Sequence, residues 1–364
     1  MRILLVGEYS NVHATLAEAL RTLGHEVCVI SNGDFWKDYP RDIDVARRPG
    51  KWGGIRLMAR LCRLLPRLRG YDVVQLINPM FFELKAERLY FFYDYLRRHN
   101  KRVFLGAFGM DWYWVHECVY KRPLRYSDFN IGNQLRTDAE AMKYRNDWLG
   151  TPKGKLNRYI ADDCDGIITG LYEYDVCYRP YFPEKTTFIP FPIKMPAEAL
   201  LPRETAGGPL RLFIGINRER SAYKGTDIML QAAEEVSRRH PDLVHLQIAE
   251  SVPFTEYQQM MDRSDAILDQ LYSYTPSMNA LLAMSKGIIC IGGGEPENYD
   301  IISERELRPI INVEPSYESV LSVLESLVLH PTSLPTLQQE SRTYIRRHHD
   351  HLEVARRYLD AWQR

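Results

Sequence analysis

Three cationic side chains lie in a short stretch between a predicted strand and a predicted helix. Arg218, Arg220 and Lys224 stand between Gly215 and Gly225. Arginine presents a planar fork of donors that matches a phosphate, and lysine adds a compact positive charge. A helix that begins after Gly225 adds oriented N–H groups and a partial positive charge. The pattern therefore predicts a diphosphate-binding loop, and a basic loop exposed to solvent is the alternative.

The elements that position this loop follow from hydrophobic periodicity. In the N-terminal half, short apolar runs predict strands at 2–6, 26–30, 71–77 and 102–108. Helical spacing predicts helices at 13–23 and 85–99, and Gly24 ends the first of them. Strands that alternate with helices at this pitch indicate a parallel sheet with helices on both faces.

A second series of the same kind follows a Pro-rich passage at 190–209, which includes 204–209 and is predicted to be a linker. The predicted strands are 211–215, 244–249, 266–271 and 288–292, and the predicted helices are 226–239, 255–262 and 277–286. The fold class is therefore α/β, with two Rossmann-like, doubly wound domains that face a central cleft. Such sheets bind ligands at the carboxyl ends of their strands, so a nucleotide-type ligand is expected there.

Length and composition exclude several other classes of protein. A chain of 364 residues corresponds to roughly two domains. With 47 basic and 47 acidic residues the formal charge is zero, which disfavours a general nucleic-acid binder. The six cysteines form no C-x-x-C pair, which argues against a zinc knuckle or a disulfide framework and favours a reducing cytoplasm. No run approaches the roughly 18 apolar residues of a membrane-spanning helix, and the apolar run at the N-terminus is too short for a signal peptide.

The order of motifs resembles that of a known enzyme family. Arg218 and the Lys224-Gly225 pair are followed by a helix, by Ala283-Met284, and by Gly293-Gly-Glu-Pro-Glu297. This order is similar to the C-terminal domain of retaining glycosyltransferases of family 4, which have the GT-B fold. In the N-terminal half, 71–78 resembles the family's Asp-Val-Val-His-x-His segment, and 108–111 resembles its His-Gly-x-Asp. The resemblance extends over nearly the whole chain and is strongest at 207–300.

The resemblance implies transfer of a hexosyl group from a nucleotide-sugar to a glycan or lipid-linked acceptor, with retention at the anomeric carbon. It implies no metal and no cofactor beyond the nucleotide-sugar itself. Arg218 and Lys224 would hold the diphosphate and stabilise the charge of the leaving group. The glycines at 292–294 would let backbone N–H groups approach the sugar or phosphate. The candidate donor-binding residues are Gly215, Arg220, Tyr274, Ser277, Asn279, Gly293, Gly294, Glu295 and Glu297.

The same resemblance divides the chain into a donor side and an acceptor side. Residues 1–195 would form an acceptor-side domain, completed by a C-terminal helix at 346–364, and 207–345 would form the donor-binding domain. The acceptor would approach near Gly7, Asn11, Phe108 and Asp111. His13 is the third candidate catalytic residue, as an acceptor-side hydrogen bonder or base. Packing at a helix N-terminus is the alternative for His13.

The sequence departs from the family at two carboxylates. Family members carry two glutamates eight residues apart, and the corresponding positions here are Tyr274 and Leu282. Three outcomes stay open: neighbours such as Ser277, Asn279, Glu295 and Glu297 replace them, the donor is held differently, or transfer is lost and the protein only binds nucleotide or glycan. The hydroxyls of 272–277 are candidates to bind a sugar or base, and an ordinary loop capped by Thr275 or Ser277 is the alternative. A nucleotide-sugar epimerase is less favoured, because no matching acid–base pair is seen.

A basic segment is hidden by the zero total charge. Between residues 45 and 70 there are eight basic residues and no acidic one. Within 55–65, Arg56, Arg60 and Arg63 share one helical face, and the leucines lie largely opposite. One interpretation is that 47–69 contacts an anionic membrane. The protein would then be cytoplasmic and peripheral, on the inner face of the plasma membrane. The alternative is a surface helix whose arginines lie in water.

A histidine cluster near the C-terminus has the composition of a metal site. Residues 348–351 read His-His-Asp-His. Adjacent residues on a helix point about 100° apart, so at most His348 and His351 could share a metal ion. The segment is therefore interpreted as a solvated helix end. Helical periodicity follows at 352–362.

Overall fold

The computed structural model describes residues 1–197 and 208–364, and these residues divide into two units. The first unit contains 1–121, 144–192 and 351–364, and the second contains 122–143 and 193–350. Half of the predicted linker, 198–207, lies outside the described residues, and so does the predicted start of the second domain at 207.

Strands alternate with helices along most of the described chain. In chain order the strands are β1 (Arg2–Val6), β2 (Glu26–Ser31), β3 (Ile43–Asp44), β4 (Val73–Leu76), β5 (Arg102–Ala107), β6 (Asn130–Ile131), β7 (Gln134–Leu135), β8 (Gly166–Thr169), β9 (Thr186–Phe188), β10 (Leu210–Ile216), β11 (Val244–Glu250), β12 (Ala266–Leu268), β13 (Ile289–Gly292) and β14 (Ile311–Asn312). The helices are α1 (Val12–Thr22), α2 (Gly53–Leu64), α3 (Ala86–His99), α4 (Trp112–His116), α5 (Ala139–Trp148), α6 (Pro152–Asp163), α7 (Tyr172–Tyr178), α8 (Ser221–Lys224), α9 (Thr226–Arg239), α10 (Phe254–Asp262), α11 (Met278–Ser285), α12 (Pro296–Ile301), α13 (Tyr317–Leu329), α14 (Leu334–His348) and α15 (His351–Gln363).

Each unit is built around one parallel sheet. The first sheet has the order β3-β2-β1-β4-β5-β8-β9, and the second has the order β11-β10-β12-β13-β14. Every neighbouring pair in both sheets is parallel. The strand order reverses beside β1 in the first sheet and beside β10 in the second. In parallel sheets ligands bind at such a reversal, outside the carboxyl ends of the strands.

The predicted strands and helices of both series are confirmed, with small shifts at their ends. The central strands are buried almost throughout, because helices cover a parallel sheet and water has no access to it. In the second unit, α9 and α13 pack against β10, β12 and β13 through aliphatic side chains such as Leu212, Met229 and Leu324. The largest changes in length are at β4, which covers Val73–Leu76 instead of 71–77, and at β12, which ends at Leu268 instead of residue 271.

The last helix belongs to the first unit. α15 packs against α1, and the indole N–H of Trp362 donates a 3.2 Å hydrogen bond to the buried Gln75 of β4. Arg102 of β5 donates a 2.8 Å hydrogen bond to the carbonyl of Trp362. A buried polar group such as Gln75 needs a partner, so these contacts fix the position of the helix.

The segment 122–143 belongs to a different unit from the one predicted from the sequence. Residues 122–143 fall within the predicted first domain, 1–195, but they belong to the second unit. The segment contains the antiparallel pair β6 and β7, joined by a turn in which Gly132 has a φ of +55°. A short hairpin of this kind has no long hydrophobic period, so the sequence pattern gives no sign of where it packs.

The interpretation of 348–351 as a solvated helix end is wrong. His348 and His349 are both buried, and His348 Nε2 lies 2.7 Å from the carboxylate of the buried Glu304. Burial alone would raise the pKa of Glu304, but hydrogen bonds from His348, from the Leu307 and Glu306 amides and from Arg347 bring it down to about 2. The histidine cluster therefore anchors the end of α14 within the second unit.

None of the described helices is by itself long and apolar enough to span a bilayer. Among them, α13 and the segment 331–348 reach that length and apolar composition only when taken together, and an 80° bend separates the two.

Candidate functional site

The predicted diphosphate loop lies at the reversal point of the second sheet. β10 ends at Ile216, a short 3-10 turn covers Arg218–Arg220, and α8 carries the chain to Lys224. Gly225 then adopts a φ of +72°, a left-handed conformation that favours glycine, and α9 begins at Thr226. The prediction of a strand, a loop and a helix is correct, and the loop contains two helical turns that the sequence pattern does not reveal.

Arg218 and Lys224 face carboxylates at the ends of two different strands. Arg218 is 83% exposed and forms an ion pair with Glu250 at the end of β11. Asp269 follows β12 directly, and burial raises the pKa of its carboxyl although hydrogen bonds from Ser277 and the charge of Lys224 oppose this. Both cations therefore lie at the carboxyl edge of the sheet, with carboxylates that a bound anion would have to displace or outweigh.

The loop after β12 is held by helix capping. Ser277 is the N-cap of α11, and its hydroxyl accepts the Ala280 N–H at 3.3 Å. The Ser277 N–H in turn donates to Asp269 at 2.7 Å. The alternative interpretation of Ser277 as a cap is thus confirmed. A second donor-side candidate, Asn279, is exposed and lies 3.5 Å from the hydroxyl of Tyr257.

Three predicted donor-binding side chains are occupied by the segment 122–143. The hydroxyl of Tyr274 accepts the backbone N–H of Arg125 at 2.7 Å, and the guanidinium of Arg125 covers the ring at 4.9 Å. The same guanidinium pairs with Glu295 and Glu297, each at 2.6 Å, and the Tyr126 hydroxyl donates to Glu295. The predicted donor-binding side chains Tyr274, Glu295 and Glu297 are thus already engaged by Arg125, and a sugar or base would have to share or replace these contacts.

The glycine-rich stretch after β13 packs against the 273–275 loop and against Asn312. The Gly294 N–H donates to Asn312 at 3.0 Å, and the Glu295 N–H donates to the Tyr274 carbonyl at 3.2 Å. A Cβ on Gly293 would lie 2.5 Å from the Ser273 carbonyl oxygen. These two N–H groups, predicted to approach a sugar or phosphate, donate within the protein instead. The glycines instead allow two neighbouring loops to approach each other. Gly215 behaves similarly, because the ring of Tyr257 lies against it.

In the first unit, the loop between β1 and α1 carries a buried acid and a buried imidazole. Glu8 accepts the backbone N–H groups of His13 at 3.3 Å and of Ala14 at 2.8 Å. Burial raises the pKa of Glu8 to about 8, although these hydrogen bonds oppose the rise. Gly7 and Asn11 both have positive φ values and shape the turn into the helix.

His13 is a neutral, fully buried imidazole. Burial lowers its pKa to about 4, although the hydrogen bond of Nδ1 to the Gly7 carbonyl, at 2.8 Å, raises it. Nδ1 therefore carries the proton, and Nε2 has no hydrogen-bond partner among the described residues. The ring of Phe108 lies edge-on to the imidazole, with centroids 6.4 Å apart. A neutral Nε2 is a hydrogen-bond acceptor, which is the property that a base requires.

The buried His13 predicts a loss of stability in mild acid. Its pKa is about 4 in the folded protein and near 6.5 in the unfolded chain, so the unfolded chain takes up the proton first as the pH falls. Relative to His13→Asn, which keeps a donor for Gly7, the wild type should lose up to about 3 kcal/mol of unfolding free energy between pH 6.5 and 4. Urea unfolding across this range measures the difference. Glu8 is present in both proteins, so its titration cancels. A difference independent of pH would show that His13 is not held neutral.

The last acceptor-side candidate, Asp111, has a structural role. Its carboxylate caps α4 by accepting the Trp114 N–H at 2.9 Å, and it accepts the Tyr178 hydroxyl at 2.7 Å. Burial raises the pKa of Asp111 to about 7 against these hydrogen bonds. Because the residue is fully buried with both oxygens occupied, the prediction that Asp111 meets an acceptor is replaced by a capping role.

In the part of the chain that the structure describes, no group of three or more His, Cys, Asp or Glu side chains is arranged to hold a metal ion. The six cysteines are all free.

Sequence reasoning missed Arg125, Tyr126 and Arg136 of the segment 122–143. Arg136 is buried beside the predicted diphosphate loop and donates to the carbonyl of Ala222 at 2.7 Å. In the sequence Arg136 is flanked by a leucine and a threonine. Such a pattern is common at exposed positions and gives no sign of burial. The contact is made across a separation of 86 residues, so no local pattern reports it.

Comparison with solved structures reveals the same architecture along the whole chain. Sucrose-phosphate synthase from Thermosynechococcus elongatus matches with a TM-score of 0.63 at 12% identity, over 100% of this chain and 98% of that one. The Anabaena protein HepE, in complex with UDP and glucose, matches with a TM-score of 0.60 at 10% identity, over 100% and 99%. A proposed UDP-N-acetylglucosamine 2-epimerase from Listeria monocytogenes matches with a TM-score of 0.56 at 11% identity, over 99% and 95%.

These likenesses show that the chain has the GT-B fold. No protein-family description matches the sequence, and no curated protein matches it in sequence.

Proposed function

We propose that this protein is a glycosyltransferase that moves a hexosyl group from a nucleotide-sugar to a glycan or lipid-linked acceptor. The observation that carries the proposal is the position of Arg218 and Lys224. They lie on one loop at the reversal point of the second sheet, directly before the N-terminus of α9. This is where a parallel sheet binds a ligand, and the charges and backbone N–H groups suit a diphosphate. HepE, which has the same fold, was solved with UDP and glucose.

The proposed chemistry follows from where charge develops. The bond between the anomeric carbon and the diphosphate oxygen breaks, and the negative charge gathers on that oxygen. Arg218 and Lys224 would stabilise this charge together with the start of α9. The acceptor hydroxyl oxygen bonds to the anomeric carbon on the same face, and its proton passes to the departing phosphate. Such a reaction retains the anomeric configuration and needs no metal.

His13 keeps its proposed role as an acceptor-side hydrogen bonder. Its Nε2 is neutral and has no partner among the described residues, so it can accept a hydrogen bond from a hydroxyl. Gly7 and Asn11, which lie in the same loop, and Phe108, whose ring lies beside the imidazole, are the other proposed acceptor-side residues. An imidazole with a pKa of about 4 is unprotonated at neutral pH, so its Nε2 would orient the acceptor hydroxyl as a hydrogen-bond acceptor while the proton passes to the departing phosphate.

A second function, nucleotide or glycan binding without transfer, is favoured by one specific observation. Tyr274 and Leu282 stand where related enzymes are expected to carry carboxylates, and Glu295 and Glu297 are held by Arg125. A nucleotide-sugar epimerase shares the fold, as the Listeria protein indicates, but nothing at the loop of Arg218 and Lys224 favours it over transfer.

A thermal-shift screen with nucleoside diphosphates tests the proposal at its first step. A ligand that binds only the folded protein raises the apparent melting temperature, and a concentration of 100 times Kd adds about 2.7 kcal/mol of stability. We expect one or two nucleoside diphosphates to raise it and the matching nucleosides to have little effect, because the diphosphate contacts dominate. Equal shifts with nucleosides and diphosphates would contradict the assigned loop.

The proposal extends to contact with an anionic membrane, and with it a place at the inner face of the plasma membrane in the cytoplasm. The eight basic residues of 47–69 are all exposed: Arg47, Arg48, Lys51, Arg56, Arg60, Arg63, Arg67 and Arg69. α2 buries Leu57 and Leu61 and leaves Ile55 exposed, and Trp52 before the helix is 64% exposed. An aromatic ring beside a cationic helix suits the headgroup region of a bilayer.

Vesicle sedimentation distinguishes a membrane contact from a merely solvated helix. The protein should sediment with phosphatidylserine-containing vesicles and remain in solution with pure phosphatidylcholine, and binding should weaken as salt rises. A triple change, Arg56→Gln with Arg60→Gln and Arg63→Gln, should abolish most of the binding. Arg238→Gln, which removes one exposed arginine from α9, is the control for each of the single changes Arg56→Gln, Arg60→Gln and Arg63→Gln, which should each weaken binding more than it does. Equal sedimentation with both vesicle types would remove this part of the proposal.

A further inference from the structure

The segment 122–143 buries an arginine beside the proposed donor loop. Arg136 is only 9% exposed, although arginine is rarely buried unless its charge is paired. Its guanidinium lies 3.1 Å from the Asp138 carboxylate and donates to the Ser127 carbonyl at 3.3 Å. A buried charge with these partners is held in one geometry.

Arg136 contacts both loops that meet at the reversal point of the second sheet. It donates to the carbonyl of Ala222 in α8 at 2.7 Å, two residues before Lys224. On its other side the guanidinium lies 3.7 Å from the ring centroid of Tyr272, in the loop after β12. The planar guanidinium suits both contacts, because its edge donates hydrogen bonds while its face stacks on a ring.

The two ends of the segment hold further parts of the same site. At one end, Arg125 pairs with Glu295 and Glu297 after β13, and its backbone N–H donates to the Tyr274 hydroxyl. At the other end, the carboxylate of Glu140 lies 3.7 Å from Arg220. The segment therefore spans the loops that follow β10, β12 and β13.

We infer that 122–143 is a clamp that positions the donor-binding loops, with Arg136 as its central positioning residue. This inference rests on the proposed function, because it assigns the loops of Arg218 and Lys224 to a nucleoside diphosphate. The N–H groups of Arg136 are directed to Ala222, Ser127 and Asp138, so it acts on the diphosphate through the loop. A loop fixed before binding loses less conformational entropy when the ligand arrives, and affinity rises accordingly.

The alternative is that 122–143 covers the site and must move away before a ligand binds. This alternative predicts the opposite effect on ligand affinity when the segment is loosened. Both Arg125 and Arg136 hold the segment on the second unit. If the segment obstructs the ligand, loosening it strengthens binding. If it clamps the loops, loosening it weakens binding.

The test compares Arg136→Gln and Arg136→Lys with the wild type by calorimetric titration with UDP. We expect Arg136→Gln to bind UDP roughly tenfold or more weakly and Arg136→Lys to recover part of the loss, since lysine keeps the charge but lacks the planar fork. Arg238→Gln on α9 is the matched control and should bind as the wild type does. Unchanged or tighter binding in Arg136→Gln, with the fold intact by circular dichroism, would overturn the clamp.

Amide hydrogen exchange without nucleotide separates failure of the clamp from failure of the proposed function. In Arg136→Gln, amides at 221–225 and 271–277 should exchange faster than in the wild type, while those of α13 should not change. Unchanged exchange at both loops overturns the clamp whether or not UDP binds. If the wild type binds no UDP and the two loops still loosen, the clamp is supported and UDP as the donor nucleotide is refuted.

Discussion

Replacement of Arg218 or Lys224 by alanine should weaken nucleoside-diphosphate binding by about 1.5–3 kcal/mol each, or roughly ten- to 150-fold in Kd. Both side chains lie on the loop at the reversal point of the second sheet, where a diphosphate would accept charge-assisted hydrogen bonds. Isothermal titration measures both affinities.

The matched control for these variants is Arg238→Ala. Arg238 is an exposed arginine at the end of α9, where it pairs with Glu235. Its removal changes the net charge of the unit by the same amount as removal of Arg218, so a general electrostatic effect would appear in both. Unchanged diphosphate affinity in both Arg218→Ala and Lys224→Ala would refute the assigned loop.

Gly293→Ala should destabilise the second unit by about 2 kcal/mol or more and weaken nucleotide binding with it. A Cβ at this position would lie 2.5 Å from the Ser273 carbonyl oxygen and 2.8 Å from the Thr275 amide nitrogen. Both are backbone atoms, so no side chain can rotate away and the loop before Ser277 must move. Thermal unfolding measures the loss of stability, and titration with UDP measures the effect on the site.

Gly54→Ala is the control for the effect of adding a methyl group to a glycine. Gly54 lies within α2, and the nearest atom to its added Cβ is the end of the Arg47 side chain at 3.9 Å. Alanine is a better helix former than glycine by up to about 1 kcal/mol, so this variant should be as stable as the wild type or more stable. If Gly293→Ala matched it, the close packing of the 273–275 loop on Gly293 would be refuted.

Much of the fold could be predicted because the information is local. The apolar runs at 2–6 and 211–215 and the helical spacing at 226–239 each lie within one element, and each is found in the structure, the second as β10 with one more residue at either end. The order of these elements then predicts parallel sheets, and the observed reversal of strand order places the loop of Arg218 and Lys224 at the edge where such sheets generally bind ligands.

The side chains around that loop could not be predicted, because their partners come from distant parts of the chain. Tyr274, Glu295 and Glu297 are typical of a donor site by type, yet Arg125 occupies all three across about 150 residues or more. His348 has the appearance of a solvated residue in the sequence, and its burial depends on Glu304, which stands 44 residues earlier. Ion pairs between residues far apart in the chain produce no periodic pattern in the sequence, so they could not be predicted from it.

The burial of His13 shows a second limit of the sequence. A histidine at the start of α1 is equally consistent with an exposed base and with a packing residue. The structure gives it features of both, with a hydrogen bond from Nδ1 to Gly7 and an Nε2 without a partner among the described residues. The turn at 7–11, with positive φ at Gly7, Ser10 and Asn11, leads into this arrangement, and a sequence pattern does not display such φ values.

Release of nucleoside diphosphate from nucleotide-sugars tests the central claim most directly. A panel of nucleotide-sugars is incubated with glycan and lipid-linked acceptors, and the wild type is compared with Lys224→Ala. We predict that the wild type releases a nucleoside diphosphate from at least one donor in the presence of an acceptor, and that Lys224→Ala releases it at least tenfold more slowly. Tight nucleotide binding by the wild type without release from any donor would contradict transfer and leave a binding protein with the GT-B fold.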